Sequence, residues 1–172
     1  MSGTSTRHDF DFWMGRWHVE GRRLRERLAG SEEWEEITAT SVAWPLLGGL
    51  GNVDEFHTDF RGGFTGMSLR LFDPGTREWS IYWADSLRPG PLEEPVVGSF
   101  AGGVGVFECE DVHAGRPILV RYTWSRVDTP SPRWEQAFSD DGGQSWETNW
   151  VNDFTRLPEG ATRPADRSPF AA

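Results

Sequence analysis

Residues 63–86, GFTGMSLRLFDPGTREWSIYWADS, decide the fold that the sequence predicts. Two runs of alternating apolar and polar residues flank Asp73-Pro74-Gly75-Thr76, a pattern typical of a tight turn between antiparallel strands. We therefore predict a β-hairpin. Because side chains alternate along a strand, Trp79, Trp83 and Asp85 share one face of its second strand. A carboxylate at the end of a tryptophan-rich face is typical of the lining of a ligand cavity.

The rest of the chain repeats this pattern, with short alternating runs between glycine- or proline-rich turns. Further strands are predicted over residues 17–22, 34–44, 51–60, 96–100, 104–110, 118–127, 133–139 and 145–157. With the hairpin, the total is about ten strands at the spacing of an all-β sandwich or barrel. A single antiparallel up-and-down β-barrel accounts for them best, because closure removes the sheet edges. A barrel slightly larger than eight strands also leaves interior volume.

The two ends of the chain differ in composition from the part between them. Residues 1–6 are small and polar and predict a flexible N-terminus. Residues 158–172, PEGATRPADRSPFAA, are rich in proline, alanine and charge and predict a disordered tail. We therefore expect one domain over residues 7–157. At its start, apolar residues at positions 10, 13 and 14 have the spacing of one helical turn, with Ser5 or Thr6 as its N-cap.

Composition excludes several classes of function. The net charge of −10 opposes contact with nucleic acid or anionic membrane surfaces. All 17 basic residues are arginine, so chemistry through a lysine Schiff base cannot occur. The single cysteine, Cys109, can form neither an internal disulfide nor a thiolate zinc site. No signal-peptide pattern and no apolar run of about 20 residues is found, so we expect a cytoplasmic protein.

Ten tryptophans and eleven phenylalanines are many for a chain of this size. They either fill the core or line a cavity for a flat or apolar ligand, and composition does not separate the two. The charged run from Arg22 to Arg27 is interpreted as a solvent-exposed strand end that leads to a turn. The candidate ligand-binding residues are Trp44, Asn52, Trp83, Tyr122, Trp124, Trp134, Gln136 and Trp150.

Two motifs carry a resemblance to known families. Gly15-Arg16-Trp17, after the helical turn, resembles the Gly-x-Trp entry of calycins, the lipocalin and fatty-acid-binding-protein superfamily. The hairpin residues GMSLRLFDP (66–74), Trp79 and WADS (83–86), with HDFDFWMGRW (8–17) and LLGGLGNVDEF (46–56), resemble the DUF1579 family of calycin-like bacterial proteins. The resemblance runs from about His8 to Leu157. It implies a calycin-like barrel with a short N-terminal helix closing one end, and almost nothing about function.

The histidines do not predict a metal site. His8, His18, His57 and His113 form no HxH or HxxxH pair, and the acidic residues near His113 border a turn that we expect to be solvated. A haem-binding calycin would be expected to offer a histidine from a late strand, and none lies beyond His113. We therefore expect no metal and no cofactor.

Three charged residues are the candidates for catalysis. Asp54, Arg70 and Asp85 lie on three neighbouring predicted strands, on faces that also carry aromatic residues. If those faces point inward, Arg70 pairs with an aspartate as a structural ion pair, since a buried charge must be paired. In the functional alternative, Arg70 binds an anionic ligand group while an aspartate acts as a general base.

Three hypotheses of function remain. The first is a barrel that binds a small hydrophobic or aromatic molecule. The second is a cofactor-independent isomerase or cyclase that uses an aspartate for acid–base catalysis in the same cavity, with Arg70 stabilising negative charge. The third is an interaction protein, which a barrel packed solid would support. The oligomeric state is left open, with a homodimer as one alternative.

Overall fold

Ten strands form one closed antiparallel barrel in which each strand pairs with the next and the last pairs with the first. The computed structural model describes residues 5–159. The strands are β1 Gly15–Leu24, β2 Trp34–Leu46, β3 Gly51–Thr58, β4 Phe64–Asp73, β5 Glu78–Asp85, β6 Val96–Ala101, β7 Val104–His113, β8 Arg116–Ser125, β9 Arg133–Ser139 and β10 Glu147–Arg156. The predicted all-β, up-and-down barrel of about ten strands is confirmed, including the β4–β5 hairpin.

The predicted tails lie mostly outside the described residues. Positions 1–4 and 160–172 are not described, so the expectation of flexibility stays a prediction there. Ser5 and Thr6, which the sequence assigns to the flexible N-terminus, lie inside the described part. Ser5 is buried, and its hydroxyl donates a hydrogen bond to the carboxylate of Asp9.

The predicted N-terminal helix is wrong. Asp11–Trp13 forms a single 3-10 turn, and no helix of seven or more residues occurs within residues 5–159. The reason is that β1 begins at Gly15, whose positive φ of 114° turns the chain directly into the sheet. Thr6 does not cap a helix; its backbone N–H donates to Asp9 at 2.8 Å. No helix of the described chain is long and apolar enough to span a membrane.

Aromatic side chains from this N-terminal segment close one end of the barrel. Phe10 and Trp13 are each 1% exposed and stand in the core cluster. The ring of Phe10 lies 4.9 Å from that of Trp79, and the ring of Trp13 lies 4.9 Å from that of Trp124. The closed end is therefore a packed aromatic core, although no helix plugs it.

The strand register fixes the height of each inward residue. Arg70 on β4 lies opposite Asn52 on β3 and Ile81 on β5. Asp85 lies opposite Gly66, four residues farther along each strand, which is about 13 Å at the usual rise. Arg70 and Asp85 therefore face the same interior at different depths.

Loops surround the other end, which we call the mouth. The β1–β2 loop (residues 25–33) is tied to the barrel at Leu28, whose N–H donates to Glu147 Oε1 at 2.8 Å. The guanidinium of Arg116 donates to the carbonyl oxygen of Leu28 at 3.3 Å. After β5, Asp85 Oδ1 accepts hydrogen bonds from the N–H groups of Leu87 and Arg88 at 3.0 and 3.1 Å. Two loops are thus fixed over the mouth.

We predict that Gly98→Ala destabilises the barrel. A Cβ at this position on β6 would lie 1.9 Å from the backbone oxygen of Val106 and 2.9 Å from the Cα of Phe107. These are backbone atoms, which cannot move without distorting the β6–β7 pairing. We therefore expect the free energy of unfolding to fall by about 3 kcal/mol, the upper end of the usual cost of overpacking. Urea denaturation measures it, with Gly90→Ala as control, since nothing lies within 4 Å of that site. Equal stabilities of the two variants would contradict the close packing of β6 against β7 at Gly98.

Candidate functional site

The interior of the barrel is hollow between the aromatic core and the mouth. The cavity has a volume of about 460 Å³, within the range of roughly 300–1,000 Å³ usual for small-molecule sites. Three exposed residues, Leu87, Arg88 and Glu93, are among its lining residues, so it reaches the surface at the mouth. A barrel packed solid, the observation that would have supported an interaction protein, is not what the structure has.

A buried ion pair forms the floor of the cavity. Nη1 of Arg70 donates to Asp54 Oδ1 at 2.5 Å and to Asn52 Oδ1 at 3.0 Å. Asp54 also accepts hydrogen bonds at 3.2 Å from the indole N–H of Trp13, on Oδ1, and from the hydroxyl of Ser41, on Oδ2. The Arg70 and Asp54 side chains are only 4% and 5% exposed. The structural alternative for Arg70 is therefore the one that the geometry matches.

The guanidinium of Arg70 is also surrounded by aromatic rings. Its carbon Cζ lies 5.2 Å from the ring centroid of Phe10 and 5.8 Å from those of Trp13 and Trp124. Such contacts stabilise a cation that has lost its water. Its Nε is buried and has no hydrogen-bond partner in the described part of the chain. The floor thus joins the ion pair to the aromatic core beneath it.

Asp85 does not join this pair. It lies at the mouth, where Oδ2 accepts from the indole N–H of Trp83 at 3.0 Å and from Arg88 at 3.5 Å. Burial raises the pKa of the Asp85 carboxyl, but the bond from Trp83, the charge of Arg88 and the two loop N–H groups outweigh it, and the net pKa is lowered. Asp85 is therefore an ionised anchor for the loop after β5. The three charged candidates are split, two at the floor and one at the mouth.

Aromatic rings form the walls between floor and mouth. The ring centroids of Trp134 and Trp150 are 5.5 Å apart, and those of Trp83 and Trp150 are 6.3 Å apart, both edge to face. Tyr122 lies 5.0 Å from Trp134, and burial raises the pKa of its phenol far above the usual value, so the hydroxyl stays neutral. Gln136 is buried and donates to Asn149 Oδ1 at 2.8 Å.

Most of the predicted ligand-binding residues meet in this cavity. Its lining includes Trp83, Tyr122, Trp124, Trp134, Gln136 and Trp150. Asn52 is buried beneath the floor as an acceptor for Arg70. Trp44 lies outside the cavity lining, because the inward positions of β2 are Ser41 and Ala43, and Trp44 falls on the opposite strand face. Its placement corrects the expectation that it lines the cavity.

The cavity positions of Arg23 and Arg27 were missed by the sequence analysis. Arg23 and Arg27 line the mouth, although the run from Arg22 to Arg27 is predicted to be a solvent-exposed strand end. The Arg23 guanidinium lies 4.9 Å from the ring of Trp150, and that of Arg27 lies 5.2 Å from the ring of Phe138. The alternation of side chains along β1 could have identified Arg23, since it lies an even number of residues from the inward-facing Trp17 and Val19.

A metal ion and the thiol of Cys109 are two other sources of chemistry. Among residues 5–159, no group of three or more His, Cys, Asp and Glu side chains is placed to hold a metal ion. Burial and the charges of Asp111 and Glu94 raise the pKa of the Cys109 thiol to about 11, so it is not a thiolate at neutral pH.

Comparison with known proteins identifies no family: no family model matches the chain, and no curated protein matches it significantly.

We predict that Asp54→Asn destabilises the protein by about 3–5 kcal/mol, because it leaves the buried Arg70 without a counter-charge. Chemical denaturation measures the loss. The double variant Asp54→Leu with Arg70→Met should recover most of it, since it removes both charges and fills the space. The control is Glu33→Gln, which breaks the exposed pair with Arg25 and should cost about 1 kcal/mol or less. If Asp54→Asn is as mild as the control, the ion pair is not a structural element.

Proposed function

We propose that this protein binds a small apolar or aromatic molecule in the cavity of the barrel. The observation that carries the proposal is a cavity of about 460 Å³ above the ion pair of Arg70 and Asp54. Aromatic rings of Trp83, Trp134 and Trp150 line this space. A ligand with an apolar or aromatic body gains packing contacts with them.

The shape of the walls supports a flat ligand. The ring of Trp150 stands at 81° to that of Trp83 and at 86° to that of Trp134. The walls therefore present both ring faces and ring edges to the cavity. Aromatic rings bind other aromatic rings in these two geometries. Gly66 contributes too, since a Cβ there would come within 2.1 Å of the Trp83 indole. A side chain at position 66 would push Trp83 into the cavity.

Binding is better supported than proton transfer. Asp54 accepts hydrogen bonds from Arg70, Trp13 and Ser41, and Asp85 accepts bonds from Trp83 and from the loop after β5. A general base must reach the proton that it removes from the ligand. Both carboxylates are already engaged by protein donors, which favours a structural role for each.

The resemblance to calycins belongs to the same proposal. Calycin-like membership, and the DUF1579 family within it, agree with a closed up-and-down barrel that surrounds a cavity. Fold alone does not fix a ligand, so the proposal depends on the cavity and not on the family.

We predict that the neutral fluorescent probe N-phenyl-1-naphthylamine binds the protein with enhanced emission, because its two aromatic groups suit an apolar, tryptophan-lined cavity. Ser68→Phe should abolish this binding. Ser68 is buried, lines the cavity and makes no side-chain hydrogen bond within residues 5–159 that the change would break. A fluorescence titration of each variant is the measurement.

The matched control is Ser99→Phe, which adds the same ring to an exposed position of β6. Its affinity for the probe should equal that of the wild-type protein. Circular dichroism spectra of both variants confirm that the barrel is intact. Absence of binding to the folded wild-type protein, or equal binding by Ser68→Phe, would contradict the proposed function.

A further inference from the structure

Arg23 and Arg27 are cations at the mouth that make no salt bridge within the described residues. Each is half-buried, lines the cavity and lies over an aromatic ring of its wall. Within residues 5–159, neither makes an ion pair, whereas Arg61 pairs with Glu35 and Arg88 with Asp85. A half-buried charge without a partner is costly. In a chain rich in acidic residues, leaving two such cations together at a cavity mouth points to a ligand that supplies the negative charge.

The electrostatics of the mouth agree with this geometry. Burial, followed by the positive charges of Arg27, Arg61 and Arg88, lowers the pKa of Arg23 to about 10, against the opposing effect of Asp85. Burial also lowers the pKa of Arg27, with Arg88 and Arg61 adding to the effect and Glu147 opposing it. Both side chains remain cations at neutral pH, and both are destabilised as cations until an anion arrives.

The acidic residues of the mouth do not neutralise the two arginines. Asp85 is engaged by Trp83 and the N–H groups of the loop, and Glu147 accepts the N–H of Leu28. Glu93 and Asp111 also line the cavity, but within residues 5–159 neither makes a salt bridge with Arg23 or Arg27.

We infer that Arg23 and Arg27 form an anion-binding subsite, and that the ligand is an amphipathic organic oxyanion such as an aromatic or long-chain carboxylate. Its apolar body lies among Trp83, Trp134 and Trp150, and its anionic group lies at the mouth between the two guanidinium groups. The guanidinium fork matches the geometry of such oxyanions. The inference rests on the proposed function and adds the class of ligand and its orientation, with the charged end outward.

The arginine–anion subsite differs from the floor in what it offers a ligand. Arg70 already has a carboxylate partner at 2.5 Å, so an anion there would compete with Asp54. Arg23 and Arg27 have no such competitor in the described chain. An anionic group therefore gains more at the mouth, where it also keeps part of its contact with water.

The test compares two probes of the same skeleton. Anilinonaphthalene sulfonate (ANS) is N-phenyl-1-naphthylamine with one added sulfonate, so the two probes share the apolar skeleton and differ by one anionic group. We expect the wild-type protein to bind ANS at least about tenfold more tightly than the neutral probe, as charge-assisted hydrogen bonds provide. Arg23→Gln and Arg27→Gln should each weaken ANS binding about tenfold and change the affinity for the neutral probe by less than about threefold.

The matched control is Arg25→Gln, which lies between the two arginines in sequence but is exposed and paired with Glu33; it should leave both affinities unchanged. A second measurement needs no variant: added sodium chloride should weaken binding of ANS and not of the neutral probe. Thermal melting is expected to show that Arg23→Gln and Arg27→Gln do not destabilise the free protein, because neither arginine has a carboxylate partner to lose. Marked destabilisation would assign the arginines a structural role and overturn the inference.

The outcomes separate the inference from the proposed function. If the neutral probe binds but ANS binds no more tightly, or if the arginine variants bind ANS as the wild-type protein does, the anion subsite is wrong and the apolar cavity stands. If the neutral probe fails to bind the wild-type protein, the proposed function fails, whatever ANS does.

Discussion

The ion pair between Asp54 and Arg70 divides the barrel into a solid half and a hollow half. Below it, Phe10, Trp13 and Trp124 surround the guanidinium, and the aromatic core of the closed end is continuous with them. Above it lies the cavity, which the rings of Trp83, Trp134 and Trp150 line up to the mouth. A buried pair of this kind adds little net stability compared with apolar residues of the same volume. Its effect here is positional, since it holds three strands and the N-terminal segment at one level.

The N-terminal segment depends on the same interaction. It has one 3-10 turn and no helix that would be stable alone. Its conformation is fixed from outside, by the indole bond of Trp13 to Asp54 and by the packing of Phe10 against Trp79. The segment therefore closes the barrel because its aromatic residues fit the floor, and the absence of a helix changes nothing in that closure.

Much of the barrel was predictable because strands and turns are determined by residues that are close together in the sequence. Strand alternation and turn residues placed β4 and β5 and their hairpin, and parity along single strands placed Trp83, Trp134 and Trp150 on inward faces. The same alternation along β1 indicates an inward position for Arg23. The many charges between Arg22 and Arg27 led instead to the prediction of a solvent-exposed strand end. Trp44 is the opposite case. Its position in the alternation of β2 places it on the outer face, although an aromatic side chain suggests the core.

Depth within the barrel was not predictable, because it depends on the register between strands. The sequence places Asp54, Arg70 and Asp85 on neighbouring strands. The register of β4 and β5 is needed to show their depth: Arg70 lies opposite Ile81, four residues from Asp85. Asp54 and Arg70 are therefore at the floor, and Asp85 is at the mouth. The turn of the N-terminal segment was missed for a similar reason, since tertiary contacts and not helix propensity decide it.

Native mass spectrometry of the protein as purified from cells, compared with the same sample after denaturation, tests the central claim most directly. The account predicts an additional mass, that of a small organic molecule, which disappears when the protein is denatured. A protein that shows only the mass of its sequence, and still does so after exposure to cell extract, would contradict the claim that the cavity is a binding site.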